Sequence, residues 1–292
     1  MRGIAEFVMR GRAQAIGVCL LGASLPPINW LCTAVVSLVV LRKGIGEGLF
    51  VLLWACLPLV VFFYIYGDVT PIVALAGTFC LAYILRTTVS WELTLSAAVV
   101  ISALGSLIFE LTAADLIAQL VDRYLDFLLE VQTQANNANE LATRVMLPTE
   151  AEARNILFGF IAMGFALSML AFLILARWWQ SLLYNPGAFG QEFRNIRLSP
   201  VLGVVLVVVL AACYGLGGFA RWANLLAIPL LMAGIGFVHW IIAEKKMSRS
   251  WLVSFYLLMI LMFQLVLPML ATVALLDSWM NLRKQFRSDQ EV

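Results

Sequence analysis

Two adjacent prolines, Pro26 and Pro27, interrupt one continuous apolar stretch over residues 13–41. The stretch is longer than the ~20 residues that carry a helix once across a bilayer. A proline pair cannot sit in a helix interior, because each ring removes a backbone donor and clashes with the preceding turn. The stretch therefore reads as two short helices: the chain enters a membrane, turns at Pro26-Pro27 and returns. At roughly 13 residues each and 1.5 Å per residue, the halves cover only ~20 Å of a ~30 Å hydrocarbon core. The turn Pro26-Pro27-Ile28-Asn29 is then expected below the outer surface, lining a cavity rather than facing lipid.

Composition supports a membrane setting. Of 292 residues, 63% are hydrophobic and 12% charged, against about 25% charged in an ordinary soluble domain. Mean hydropathy is +0.95. A chain apolar on all faces needs lipid in place of water, so membrane lipids are its first expected partners. A net charge of +2 leaves no nucleic-acid footprint. The five cysteines lie inside apolar runs with no C-x-x-C pair, so neither a disulfide framework nor a zinc site is indicated. With one histidine, His239, His-based metal sites are excluded, and no cofactor is expected. The basic N-terminus and first apolar run mimic a signal peptide, but no A-x-A site follows, so the run reads as a retained segment.

Apolar runs fall at 13–25, 28–41, 48–66, 70–85, 91–111, 155–176, 200–217, 222–243 and 251–276. Thr70-Pro71 and Ser199-Pro200 each place a capping side chain before a proline at the first helical position. Ser90 can cap the run opening Trp91-Glu92, and Thr149 with Glu152 has capping-box spacing. With a hairpin at 13–41 and the N-terminus inside, Arg42, Lys43, Arg86, Arg177, Arg194, Arg197, Lys245, Lys246 and Arg249 all fall inside. The outside keeps Arg123, Arg144, Arg154 and Arg221, mostly in a long acidic loop that weighs little. A single span at 13–41 would reverse every internal loop. Counting one crossing per run leaves Arg283, Lys284 and Arg287 outside, unless Pro268 breaks the last segment and brings the tail back.

Residues 112–135 form an amphipathic helix on the outer side. Asp115, Gln119, Asp122, Asp126 and Glu130 recur on one face, and Leu116, Leu120, Tyr124, Phe127 and Leu128 line another. An acidic polar face suits anionic lipid poorly, so this helix is expected on the protein's own surface or on a partner. Asn136-Asn137 reads as a loop break.

Polar residues in apolar runs are site candidates, because burial in lipid is costly. Asn29 either caps the returning helix or lines a site built from the freed backbone of a broken helix. Arg86 and Glu92 flank one inner turn and are placed to pair. Glu47 and Glu92 also suit the positive ends of their helices. Gln264 is placed to hydrogen-bond between helices. The substrate-binding candidates are thus Asn29, Arg86, Glu92 and Gln264. In the inner connector, Trp178 and Trp179 read as interfacial anchors and Asn185-Pro186-Gly187 as a turn. Asn185, Gly187, Phe189, Phe193 and Arg194 are candidates for docking a membrane or cytoplasmic protein. His239 and Glu244 have an H-x-x-x-x-E spacing that matches an acyltransferase pattern only loosely. No nucleophile elbow, H-E-x-x-H or phosphate-binding loop is present, so no catalytic residue is assigned.

Three segments together resemble the YybS-like family of bacterial polytopic inner-membrane proteins: Leu25-Pro26-Pro27; Leu41-Arg42-Lys43-Gly44 with Gly46 and Gly48; and Asn185-Pro186-Gly187-Ala188-Phe189-Gly190-Gln191-Glu192-Phe193-Arg194. The resemblance implies a bacterial inner-membrane location and no particular activity, and the basic-residue count adds a cytoplasmic N-terminus. More distantly, residues 1–176 are similar to the substrate-binding S components of energy-coupling-factor vitamin transporters. That likeness implies six helices, a vitamin site near the outer face and docking on a transmembrane partner. Where S components carry Ala-x-x-x-Ala on the first helix, this chain has Ala13-x-x-x-Gly17. Residues 177–199 would be a cytoplasmic connector and residues 200–292 additional membrane helices. The expectation is an all-α integral membrane bundle of eight or nine segments with a broken first helix. It would bind or transport a small molecule with a partner, or else serve as a non-catalytic scaffold or accessory subunit of a cell-envelope complex.

Overall fold

A computed structural model of the chain describes residues 1–137, 147–215 and 219–288, and these are entirely helical in their regular structure. Arg144 and the end of the 200–217 run lie outside the described residues. The elements are α1 (Arg2–Met9), α2 (Arg12–Ser24), a 3₁₀ turn (Pro26–Ile28), α3 (Asn29–Lys43), α4 (Ile45–Tyr66), α5 (Thr70–Thr88), α6 (Trp91–Thr112) and α7 (Ala114–Asn137). They continue as α8 (Glu150–Tyr184), α9 (Ala188–Arg194), α10 (Pro200–Gly215), a 3₁₀ turn (Ala220–Trp222), α11 (Ala223–Glu244), α12 (Ser250–Leu261), α13 (Phe263–Met280) and α14 (Leu282–Ser288).

Six helices, α4, α5, α6, α8, α11 and α13, are long and apolar enough to cross a membrane. This is a membrane protein built as a helical bundle. The other apolar helices, α2, α3, α10 and α12, have 13, 15, 16 and 12 residues. All four are shorter than the ~20 a single upright span needs.

Helix α3 is the centre. Every residue from Cys32 to Leu41 is buried, and α2, α4, α5 and α8 pack around it. A helix apolar on all sides has no face to give to water and belongs inside. Its two polar exceptions are small; Ser37 satisfies itself by donating to the Thr33 carbonyl at 2.9 Å. Helix α2 lies along α3 beyond the proline turn, with the Cys19 thiol 3.8 Å from the Cys32 carbonyl oxygen. Gly22 permits that approach, since a Cβ there would come within 3.2 Å of the Cys32 nitrogen.

Helix starts follow the sequence closely but not everywhere. Thr149 and Glu152 form the capping box of α8, the Ser90 hydroxyl accepts from the Leu93 N–H, and Ser199 accepts from Leu202. Thr70 is not the cap of α5: Val69 holds that position without a side-chain cap, and Asp68, one residue earlier, accepts from the Thr70 N–H at 2.9 Å. Asn29 makes no side-chain cap on α3 either.

The last apolar run doubles back, and at Met262 rather than at Pro268, which stays inside α13. Tyr256 reaches His239 at 2.8 Å, while Arg283 lies over the rings of Phe237 and Trp240. A straight helix would hold Tyr256 and Arg283 roughly 40 Å apart at 1.5 Å per residue. Both instead meet the same stretch of α11, so α12 and α13 run in opposite directions. Phe286 on α14 therefore lies beside Lys245, whose ammonium sits 5.7 Å from its ring centre.

Helix α7 packs on α8 and, more lightly, on α6. Its buried residues are Ile117 and Val121, whereas Leu116 and Phe127 are exposed. The apolar face is thus rotated from the one read in the sequence, and the helix continues through Asn136-Asn137. Helix α1 was not legible in advance. It is a short amphipathic helix that buries Ala5 and Val8 and pairs Arg2 with Glu6 on its exposed side.

The tightest helix crossing makes a test. A Cβ on Gly234 of α11 would lie 2.6 Å from the Leu270 carbonyl oxygen of α13, and backbone does not yield cheaply. Gly234→Ala is expected to lower the thermal unfolding midpoint of the purified protein. Gly164→Ala, where nothing lies within 4 Å, is expected to raise it slightly, since alanine is favoured over glycine in a helix by about 0.5–1 kcal/mol.

Candidate functional site

At one end of the bundle, α2, α3, α4 and α5 leave a cavity of about 380 Å³. That is within the ~300–1,000 Å³ range of small-molecule sites. Its wall is made by Ala23, Pro26, Asn29, Leu59, Phe62, Tyr66, Asp68 and Pro71. The space lies at the proline turn: α2 stops at Ser24, Pro26–Ile28 form the 3₁₀ turn and α3 starts at Asn29, with Pro26 and Asn29 on the cavity wall. Pro58 lies within α4 one residue before Leu59 and removes one bond from that helix's ladder. Phe62 and Tyr66, one turn apart, stack with ring centres 5.4 Å apart. Asp68 stands on the α4–α5 corner just after Gly67, whose φ of 70° ends α4 in the left-handed conformation. Asn29 reaches the same space with a side-chain amide that has no hydrogen bond among the described residues.

The other substrate-binding candidates are elsewhere, so the four do not form one site. Arg86 lies at the far end of α3, donating to the carbonyls of Val40 and Leu41 at 3.2 and 2.6 Å. The Val40 carbonyl also accepts from the Gly44 N–H at 3.0 Å, while the Leu41 carbonyl, in the last turn of α3, also receives Gln180. The expected Arg86–Glu92 pair does not form: Glu92 accepts a 2.5 Å hydrogen bond from the Ser199 hydroxyl. Gln264 is exposed at the start of α13, next to the Met262 reversal.

The docking candidates divide. Asn185, Gly187 and Arg194 are exposed, and Gly187 at φ 89° sets the turn into α9. Phe189 and Phe193 face inward, packed on each other with ring centres 5.7 Å apart, and Phe193 meets His239 edge-on. The connector is also tied down by Glu192. Its carboxylate accepts from Arg177 at 2.7 Å and from the Trp91 indole at 2.6 Å. Ile196 and Leu198 are buried.

Sequence reading missed Asp277. It is 2% exposed on α13 and accepts from Arg283 at 2.8 Å, with Arg197 at 3.9 Å. Arg283 donates onward to the carbonyls of Arg194 and Ile196, and Arg197 to those of Asp277 and Ser278. This network clamps the end of α13 to the connector. An aspartate near the end of an apolar run with a basic cluster just beyond was the available signal. His239 pairs with the Tyr256 hydroxyl rather than with a carboxylate, so the loose acyltransferase spacing acquires no catalytic geometry. Among the described residues no group of three His, Cys, Asp or Glu side chains could hold a metal.

No family model, no curated protein and no solved structure matches this chain. The site is therefore argued from its own geometry.

Arg283→Met tests the clamp. It leaves a buried carboxylate with only the more distant Arg197, and removing one partner of a buried pair costs about 3–5 kcal/mol. The expected loss, read by denaturant unfolding in detergent, is toward the lower figure, about 3 kcal/mol. Adding Asp277→Leu is expected to recover part of that loss.

Proposed function

We propose that this chain is a multi-pass protein of the bacterial cytoplasmic membrane that binds a small molecule in the cavity at the proline turn, facing away from the cytoplasm. The observation that carries the reading is the coincidence of that cavity with the broken stretch: Pro26 and Asn29 line it. The distant resemblance to transporter S components implies a ligand site near the outer face, and this reading follows it. No nucleotide-binding motif is present, so movement of the ligand would draw on a partner or an ion gradient.

Sidedness is argued from charge. Arg42, Arg86, Arg177, Arg197, Lys245 and Arg283 gather at the end of the bundle opposite Asn29, as their contacts with Tyr184, Leu41, Glu192, Asp277, Phe286 and Arg194 indicate. Basic residues favour the cytoplasmic side. On this reading α2, α3, α4, α5, α6, α8, α10 and α11 each traverse the membrane and the α12–α13 pair is one returning segment. That makes nine, with both termini cytoplasmic. On this reading the ends of the short helices α2, α3 and α10 require cover from neighbouring protein or a water-filled cavity.

A scaffold role has one observation in its favour, the exposed Asn185-Pro186-Gly187 tip. It is the weaker reading, because Phe189 and Phe193, the residues that would anchor a partner, are spent on the bundle itself.

Two measurements test the proposal. In a cysteine-free background, Arg42→Cys is expected to resist a membrane-impermeant maleimide in intact cells and to react after permeabilisation. Labelling from outside would invert the topology and remove the outward-facing site. Asn29→Trp, which fills the cavity, is expected to deplete small molecules that mass spectrometry finds co-purifying with the native protein. An unchanged profile would remove the cavity from the function.

A further inference from the structure

We propose that the ligand of this cavity is a small organic cation with an apolar body, its charge held by Asp68 and by the faces of Phe62 and Tyr66. The proposal rests on the reading of the cavity as a ligand site and adds the chemical class.

The charge inventory of the wall points one way. Among the eight lining residues there is a carboxylate, Asp68, and no Lys, Arg or His. Asp68 enters none of the ion pairs formed by the described residues, whereas Glu6, Glu47, Glu110, Glu192 and Asp277 each face a guanidinium. One of its oxygens accepts from the Thr70 N–H; the other has no protein hydrogen bond. The start of α5 makes a negative charge tolerable there but does not neutralise it.

The rest of the wall is suited to the same charge. Phe62 and Tyr66, stacked on each other, both line the cavity, and aromatic faces carry negative potential and attract cations. Leu59, Ala23, Pro26 and Pro71 supply apolar surface for a hydrocarbon body. The amide of Asn29 adds one polar contact that accepts or donates. An anionic ligand would meet Asp68 with no compensating base. A neutral one would gain nothing from the carboxylate and would have to exclude water from it.

The hydrogen-bond role and the ligand role of Asp68 are separable. An Asn amide oxygen accepts from the Thr70 N–H as the carboxylate does, so Asp68→Asn removes the charge and keeps the corner. The test uses three fluorescent styryl probes of one shape on the full-length protein in nanodiscs. One carries an N-methylpyridinium, one the neutral pyridine and one a benzoate. The pyridinium probe is expected to bind saturably and at least tenfold more tightly than the other two. Asp68→Asn should abolish that preference, Asp68→Glu should restore part of it, and Asn29→Trp should remove binding of every probe. Phe62→Leu, which keeps the apolar volume, should weaken the pyridinium probe alone.

If the neutral or anionic probe binds as well as the cation, or Asp68→Asn has no effect while Asn29→Trp still abolishes binding, the cation class is wrong and the ligand site stands. If Asn29→Trp leaves pyridinium binding unchanged, the probe is bound elsewhere and both readings fall. If no probe binds the native protein, the proposal is overturned.

Discussion

The burial of α3 on every side is the constraint from which the rest of the architecture follows. Cys32 to Leu41 present no face that tolerates exposure to water, and four helices must surround them. A chain that reverses at both ends of α3 brings α2 and α4 against it, and against each other, within few residues. Pro26-Pro27 makes one reversal by ending helical hydrogen bonding. Gly44, at φ 100°, makes the other, a conformation in which a side chain would be strained. Gly48 completes the fit, because any Cβ there would collide with Val40.

Burying a helix centrally raises a polar problem at its ends, and the two ends solve it differently. At the C-terminal end the carbonyls of Val40 and Leu41 receive Arg86 and Gln180, and the surrounding groups are paired into a dense polar layer. Arg177, Glu192, Trp91 and Ser199 belong to that layer, and the Asp277 clamp extends it to the last helices. At the N-terminal end α3 has no side-chain cap, and the space beside it is open. The same helix thus has a sealed end and a hollow end. The charged groups that appear in the sequence as site candidates, Arg86 and Glu92, are consumed by the seal. The hollow end is bounded by residues with little sequence signal of their own.

That contrast explains what was legible. Helical class, membrane character and the position of the chain reversal follow from apolar run lengths and from proline chemistry, which are local. Capping at Ser90, Thr149 and Ser199 is local too and is met in the structure. Asn29 was identifiable because it follows the proline pair. Tyr66 and Asp68 were not, since an exposed aromatic and an aspartate at a helix corner are unremarkable until the fold sets them opposite Asn29. Asp277 was overlooked because only Arg283, 6 residues on, is near it in sequence, while Arg197, 80 residues away, meets it through tertiary packing alone.

The amino-acid sequence by itself determined that this chain is helical, that its helices are apolar enough to cross a membrane, and that regular α-helix is interrupted at Pro26-Pro27. Those outcomes depend on composition and on what a proline does to the backbone beside it. Which polar residues face one another was decided only by the tertiary structure. The assembly of Asn29, Phe62, Tyr66 and Asp68 around one space, and the diversion of Arg86 to helix carbonyls, depend on how α3 is enclosed. Enclosure is a property of packed helices rather than of any segment.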